Sequence, residues 1–300
     1  MLNLQEISVA VEIGTIYGVL ALGIYLTFKV INFPDLTCDG SFITGAAISS
    51  VLIQKMGFNP FLSLLFAMIG SGIAGFITGF LNIWMKIDDL LSGVIVAFTL
   101  YSINLKIMGE NPNISLVDNT LIFSNAAPLF VAFIIVGILL FILTYLLNSD
   151  FGLGLRSIGE NRQFAAANGV NVNTMLIFGL VISNALIGLC GAIFAQYQEF
   201  CGVSQGVGCL VIGLASVVIG EKVIPLLEKL AGIAKKIEHR NFIKIFAILV
   251  SCIIGSTAYR LFLAVAINSD ILGLKTQDIN LITGVLIIFF MAMRKKKCYR

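Results

Sequence analysis

The chain contains 300 residues, of which 58% are hydrophobic and 12% are charged, and its mean hydropathy is +1.01. Soluble domains contain roughly 45–50% apolar and about 25% charged residues, so this composition excludes a soluble protein. The net charge of +3 does not indicate nucleic-acid binding, because the basic residues lie between hydrophobic runs and do not form one face. The polar intervals are too short for a second folding unit, which predicts a single membrane domain over residues 1–300.

Long apolar runs recur along the whole chain and predict an all-α, polytopic transmembrane helix bundle with about nine spans. The second, seventh and ninth runs are about 15 residues long, shorter than the ~20 that a straight transmembrane helix needs. We expect each of these three to be tilted, broken or partly re-entrant. The predicted spans lie near residues 10–31, 40–54, 60–84, 90–108, 126–147, 174–196, 207–221, 242–266 and 279–293.

The basic residues between the spans predict the orientation of the chain. When the carboxyl terminus is placed in the cytoplasm, fifteen basic residues lie inside and only Lys55, Lys106 and Lys275 lie outside. An excess of Lys and Arg marks the cytoplasmic loops of membrane proteins. Since nine is an odd number, the amino terminus is then expected outside.

Several catalytic chemistries have no motif in this sequence. The nearest stretch to a phosphate-binding loop, residues 220–223, lacks the G-x-x-x-x-G-K-[ST] spacing, so the chain is not expected to hydrolyse ATP itself. His239 is the single histidine and the six cysteines form no C-x-x-C pair, so we expect no metal and no other cofactor. We therefore predict a protein that is not an enzyme. Pairing of Cys201 with Cys209 is left open.

Residues 32–41 interrupt an otherwise apolar region and are expected to break the helix. Two interpretations remain open for this stretch: an element that lines or gates a pathway at membrane depth, or a plain cytoplasmic turn between the first two spans. Asp39 has a further alternative role, which is to cap the second span. The candidate pathway residues of this stretch are Asn32, Pro34, Asp35, Asp39 and Ser41.

Two further polar residues lie within predicted spans. Arg260 lies in the eighth span, where an unpaired charge costs at least ~2.5–3.5 kcal/mol. It either faces a cavity and attracts a substrate carboxylate, or it is a snorkelling or structurally paired arginine near the outer interface. Asn104, in the fourth span, is a second candidate for a polar group that lines the pathway.

The cytoplasmic segment between the fifth and sixth spans, residues 151–170, predicts a short helix. Asn161 is suited to cap it, three alanines favour its interior, and Gly169 is suited to end it with a left-handed residue. The segment either docks into a cleft of a partner protein or is an ordinary solvated interfacial helix. The candidate docking residues are Gly152, Arg156, Gly159, Glu160, Asn161, Arg162, Ala165, Ala166 and Gly169.

This segment resembles the coupling loop of ABC importer permeases of the branched-chain amino acid and ribose type, the type II importers. Further similarity lies at residues 32–41, 91–93, 101–109 and 259–261, and is greatest to an uncharacterised subgroup associated with aromatic amino acid uptake. Ser157 stands where alanine is usual in this family, and Cys38 stands where valine is common. The resemblance covers most of the chain.

The resemblance implies a permease subunit of the bacterial plasma (inner) membrane that works as a dimer with a second permease subunit. An extracytoplasmic substrate-binding protein would deliver a small polar solute, with an amino acid favoured, and two ATP-binding cassette ATPase subunits would drive alternating access. Residues 151–170 would be the coupling segment. The alternative is a stand-alone secondary transporter driven by an ion gradient, for which no internal repeat is apparent.

Overall fold

The computed structural model describes residues 4–117, 119–124, 127–231 and 241–268, together with 284, 285 and 288. The described chain is built almost entirely from α-helices, which confirms the predicted fold class. The helices are α1 Leu4–Tyr25, α2 Cys38–Met56, α3 Pro60–Trp84, α4 Asp89–Ile107, α5 Pro128–Asn148, α6 Asp150–Glu160, α7 Arg162–Ala167, α8 Val172–Gln198, α9 Cys209–Ala231 and α10 Asn241–Asn268.

Six of these helices are long and apolar enough to cross a membrane, and they fall on the first, third, fourth, fifth, sixth and eighth predicted spans. Helices α2 and α9 occupy the second and seventh predicted spans, and neither is among the six spans found in the described part of the chain. The predicted ninth span, residues 279–293, lies outside the described residues apart from three isolated positions. A count of nine spans therefore remains a prediction.

The centre of the bundle is formed by α1 and α8. Their membrane-spanning windows are 67% and 72% buried, whereas those of α4 and α5 are 28% and 22% buried. Helix α8 contacts α1, α2 and α3, and α1 also contacts α9 and α10. Helix α5 is hydrophobic on all its faces, yet most of its surface is not covered by other helices. Such a helix is suited to face lipid.

Small residues allow the central helices to cross closely. Ser71, Gly75 and Gly79 share one face of α3, and this face lies against α8. A Cβ atom at Gly75 would overlap the carbonyl oxygen of Leu180. These small side chains, spaced four residues apart, therefore let α3 and α8 approach closely.

The first span is followed by a broken segment inside the bundle. Helix α1 continues as a π-helical turn, Leu26–Val30, and α2 begins only at Cys38. Between them, residues 31–37 run in a non-helical conformation, and Asn32 adopts a left-handed backbone with φ 50°. The predicted break is confirmed.

A two-stranded antiparallel sheet lies at the end of the bundle where α4 and α8 finish. Strand β1, Asn113–Ser115, pairs with β2, Phe200–Gly202. Cys201 in β2 and Cys209 in α9 are both buried free thiols, so they do not form a disulfide here. Burial raises the pKa of the Cys201 thiol to about 11, which keeps it protonated at neutral pH.

The crossing of α2 with α8 provides a test of this packing. A Cβ at Gly45 would overlap the carbonyl oxygen of Gly188, whereas a Cβ at Gly137 in α5 meets nothing within 4 Å. We expect Gly45→Ala to destabilise the purified protein by about 1–3 kcal/mol, because the two backbones must separate. Gly137→Ala makes the same chemical change and is expected to be neutral or slightly stabilising. Thermal unfolding in detergent compares them, and equal transition temperatures would contradict the packing.

Candidate functional site: a broken span, a cavity and a short helix pair

Asp35 is the polar centre of the broken segment and is fully buried. Its Oδ1 accepts a hydrogen bond from the Thr37 backbone N–H at 2.8 Å, and its Oδ2 accepts one from Asn184 Nδ2 at 2.8 Å. Asn184 lies near the middle of α8. The broken segment therefore lies inside the bundle at the depth of the middle of α8, and the interpretation as a plain cytoplasmic turn is wrong.

Hydroxyl groups extend this buried network to α2 and α3. Ser41 Oγ donates to Asn184 Oδ1 at 2.7 Å, and Ser71 Oγ donates to the carbonyl oxygen of Ser41 at 3.1 Å. The hydroxyls of Thr37 and Thr78 lie 2.8 Å apart. Non-helical backbone is tolerated at membrane depth only where such partners satisfy it, so this network holds residues 31–37 in place.

The other residues of the break are placed less centrally. Pro34 is half-buried and lies in the extended stretch, where its missing N–H leaves no donor unsatisfied. Asn32 is exposed and makes the left-handed turn that follows the π-helical turn. Neither residue joins the hydrogen-bond network around Asp35.

Asp39 lies in the first turn of α2 but does not cap that helix. Thr37 is the N-cap residue, and the Asp39 carboxylate instead accepts backbone N–H groups of Gly208 at 3.1 Å and Leu210 at 2.8 Å. Asp39 thus makes no capping hydrogen bond to α2, although its charge lies in the first turn, where it interacts favourably with the helix dipole. Its carboxylate joins the start of α2 to the start of α9, because the orphan N–H groups there need an acceptor.

Asp39 and Asn104 lie on the wall of the same cavity, which has a volume of about 420 Å³. The cavity is bounded by the start of α2, by α4 and by the loop that leads into α9. Asn104 Nδ2 donates to the carbonyl oxygen of Gly40 at 3.3 Å. The remaining wall is mainly apolar and consists of Leu36, Ile43, Val94, Ala97, Phe98, Tyr101, Val203, Gly206 and Val207.

Arg260 is placed apart from this cavity. Its guanidinium carbon lies 4.3 Å from the centre of the Tyr17 ring, in a cation–π contact between α10 and α1. It lines a separate cavity of about 340 Å³ near the start of α1. The structure thus brings Asp39 and Asn104 together and leaves Arg260 in another place.

On the opposite side from the small sheet, the segment 151–170 contains the expected short helix, α7, and a further helix, α6, before it. Helix α6 ends at Glu160, and Asn161 then caps α7 by accepting the N–H groups of Gln163 and Phe164 at 3.0 Å each. Gly169 has φ 84°, which is the left-handed conformation that glycine adopts freely. The predicted capping roles of Asn161 and Gly169 are confirmed.

Two glycines bring α6 close to the transmembrane helices. A Cβ at Gly159 would overlap the carbonyl oxygen of Val30, and one at Gly152 would overlap the backbone of Leu147. The first contact joins α6 to the π-helical turn that starts the broken segment. The helix pair formed by α6 and α7 is therefore packed directly on the element that leads to Asp35 and Asp39.

The candidate docking residues differ in their exposure. Glu160 and Ala166 are exposed, whereas Ala165 is only 1% exposed and packs inward. Arg156 is half-buried, and its Nε donates to the carbonyl oxygen of Gly152 at 3.4 Å. Arg162 forms an ion pair with Asp89 at the start of α4, at 3.2 Å.

Two important residues escaped the sequence analysis. Asn184 was recognisable as an isolated amide within an apolar span, but its partners come from distant parts of the chain. Phe164 is 67% exposed on α7, and nothing in its local pattern distinguishes it from a residue that packs inward. Phe164 is exposed because α7 packs on the bundle through the face that carries Ala165.

The architecture is that of a multi-pass, all-helical membrane permease. The family described as branched-chain amino acid transport system / permease component matches residues 8–291. The chain belongs to this family and is therefore the permease component of an ABC-type transport system, a role distinct from ATP hydrolysis.

Individual proteins are similar over most of the chain. A tyrosine transport system permease protein of Clostridioides difficile (strain R20291) is 37% identical over 278 residues, which cover 92% of this chain and 87% of that protein. An uncharacterized protein of Rickettsia prowazekii is 31% identical, with 96% and 97% covered. A probable branched-chain amino acid transport permease protein, LivH, of Methanocaldococcus jannaschii is 30% identical, with 70% and 72% covered. No solved structure matches significantly.

The buried network makes Asn184 a sensitive position. Asn184→Ala leaves an oxygen of Asp35 and the Ser41 hydroxyl without their partner, so we expect a loss of about 1–3 kcal/mol or more in stability. Asn168→Ala removes the same group from an exposed site, where the side chain only donates to the carbonyl oxygen of Phe164. Thermal unfolding of both purified variants is the measurement. A loss for Asn184→Ala no larger than that for Asn168→Ala would contradict the stabilising role of this network.

Proposed function

We propose that this chain is the membrane-spanning subunit of an ATP-driven importer that moves an amino acid by alternating access. The observation that carries the proposal is the packing of α6 against the start of the broken segment, at Gly159 and Val30. This contact offers a direct mechanical route from a cytoplasmic partner to the interior of the bundle. Covalent chemistry is not part of the proposed role.

The amino acid substrate is proposed from the relatives. Similar proteins are named for the transport of tyrosine and, as a probable function, of branched-chain amino acids. The substrates in these two names are all amino acids, although their side chains differ. The class, an amino acid, is therefore the level at which we propose the substrate.

In the proposed mechanism, partner ATPases move α6 and α7 as one rigid unit. The Val30 contact would pass this motion to residues 31–37, which are bonded to α8 through Asp35 and Asn184. Asp39 continues the connection to the start of α9. A rigid-body shift on the cytoplasmic side would thereby change the cavity that Asp39 and Asn104 line.

We propose that the exposed surface of the helix pair docks into the ATPase. Exposed or half-exposed residues, Arg156, Glu160, Phe164 and Ala166, would make the contact. Gly152, Gly159, Asn161, Ala165 and Gly169 would instead shape and position it, since they pack inward or set the backbone turns. Arg162 would hold α7 against α4 through Asp89.

The proposed assembly contains two permease subunits, two ATPases and an extracytoplasmic binding protein that delivers substrate. We place the protein in the bacterial inner membrane as one domain of nine spans over residues 1–300. The pathway is proposed to include Asp39 and Asn104, whereas Asn32, Pro34, Asp35 and Ser41 build the break beside it. Arg260 is left outside the proposed pathway because it lines a different cavity.

The basic residues predict that the carboxyl terminus is cytoplasmic and the amino terminus extracytoplasmic. A reporter enzyme that is active only outside the cytoplasm, fused after Arg300, is expected to be inactive. The same reporter fused before residue 1 is expected to be active. The reverse pattern of activity would overturn the proposed topology.

Docking is tested by a bulky substitution on the exposed face of α7. We expect Ala166→Trp to reduce co-purification with the ATPase subunit, because the indole would overfill a complementary cleft. Val117→Trp is the matched control, since Val117 is 66% exposed near the small sheet on the opposite side of the bundle. Unchanged complex yield for Ala166→Trp would contradict the docking surface.

Amino acid uptake by proteoliposomes that contain the permease, the ATPase and the binding protein tests the function itself. We expect ATP-dependent uptake by the wild type and a parallel loss for Ala166→Trp. Uptake that persists without the ATPase and follows an ion gradient would favour the secondary-transporter alternative.

A further inference from the structure

The wall of the cavity between α2 and α4 combines two ring side chains with a small polar region. Phe98 and Tyr101, on successive turns of α4, are 77% and 57% exposed within the protein and face this space. The volume of about 420 Å³ lies within the roughly 300–1,000 Å³ of ligand pockets. A mainly apolar wall with few polar groups is suited to an organic molecule that has one polar end.

Asn104 supplies the first polar group. The residue is 1% exposed, its Nδ2 is bonded to the Gly40 carbonyl oxygen, and its Oδ1 is buried without a hydrogen-bond partner. Since the Asn104 Nδ2 group already donates a hydrogen bond, the atom that lacks a partner is the acceptor Oδ1, which needs a donor. A buried acceptor without a partner costs free energy, and a ligand donor would recover it.

Asp39 supplies the second polar group and the charge. Each of its carboxylate oxygens accepts one backbone N–H, so each retains capacity for a further donor. Among the described residues, no basic side chain forms an ion pair with Asp39. A carboxylate and an unpartnered amide oxygen that line one cavity are complementary to a group that is positively charged and has several N–H donors.

We propose that this cavity is a transient binding site for the amino acid in transit, with its ammonium group bound by Asp39 and Asn104. The substrate side chain lies against Phe98 and Tyr101. An ammonium has three donors and no acceptor, which fits two acceptors that share one wall. This inference rests on the proposed function, since it names the site at which that function recognises its substrate.

The same acceptors would bind any apolar primary amine. Three probes show which of the ammonium, the carboxylate and the ring is needed for binding. L-Phenylalanine carries the ammonium, the carboxylate and a ring. Phenethylamine keeps the ammonium and the ring, and 3-phenylpropionate keeps the carboxylate and the ring. We expect the first two to bind and the third not to bind.

Protection of an engineered thiol measures binding without the delivery protein. Val207 lines the cavity and is 73% exposed, so Val207→Cys places a reactive thiol at its edge. The five cysteines that the structure describes are buried, and Cys298→Ser removes the sixth. In the full-length purified protein, a ligand at twice its dissociation constant should slow maleimide labelling about threefold.

Two variants test the polar groups. Asn104→Leu removes the carbonyl acceptor and Asp39→Asn removes the charge, and each is expected to abolish protection by L-phenylalanine. Thr99→Val is the matched control on α4, because this exposed hydroxyl bonds only to the Ile95 carbonyl oxygen of its own helix. Protection should remain in the control, and thermal unfolding identifies any variant that has lost its fold.

Equal protection by 3-phenylpropionate and L-phenylalanine would overturn the proposal, because the cavity would then bind apolar rings without recognising the ammonium. Absence of protection by every probe would also overturn it. If ATP-dependent amino acid uptake is observed in that case, the proposed function stands and only the site is wrong. Protection that survives Asn104→Leu in a folded variant would likewise remove Asn104 from the site.

Discussion

The hydrogen bond between Asp35 and Asn184 is the interaction on which the remaining architecture depends. It lies in the middle of the bundle, where a non-helical backbone has no water to satisfy its polar groups. The carboxylate also accepts the N–H of Thr37, and the amide oxygen accepts the hydroxyl of Ser41. Because these partners replace water, residues 31–37 can remain non-helical and α2 can begin halfway through the bundle.

The broken segment connects two regions that a continuous helix would keep apart. At one end, the backbone of Val30 contacts Gly159 of the helix pair α6 and α7. At the other end, Asp39 bonds to the start of α9 and lines the cavity with Asn104. Glycine at the crossings brings the backbones into direct contact, and closely packed elements transmit displacement with little loss. The proposed coupling between a cytoplasmic partner and the cavity follows from this connection.

Prediction from the sequence was accurate where the signal is local. Apolar runs located eight helices, six of them to within two residues at each end, although α1 begins six residues earlier and α9 ends ten residues later than predicted. Asn161 and Gly169 were recognised as helix-ending residues because capping depends on neighbours in the chain. It was less accurate where a side chain selects a distant partner. Asp39 suits a cap of α2 by its position, yet its carboxylate bonds to the start of α9. The sequence also did not predict α6, the helix that precedes the expected short helix at Asn161.

The sequence by itself determined that this is a polytopic helical membrane protein with a break after its first span and a short helix between its fifth and sixth. Each of these features depends on hydropathy, proline or capping residues, whose effects act over a few positions along the chain. Only the tertiary structure decided that the break lies inside the bundle, that Asp39 and Asn104 share a cavity, and that Arg260 lies elsewhere. The physical reason is that burial and hydrogen bonding between residues more than a hundred positions apart are set by helix packing, which no local pattern encodes.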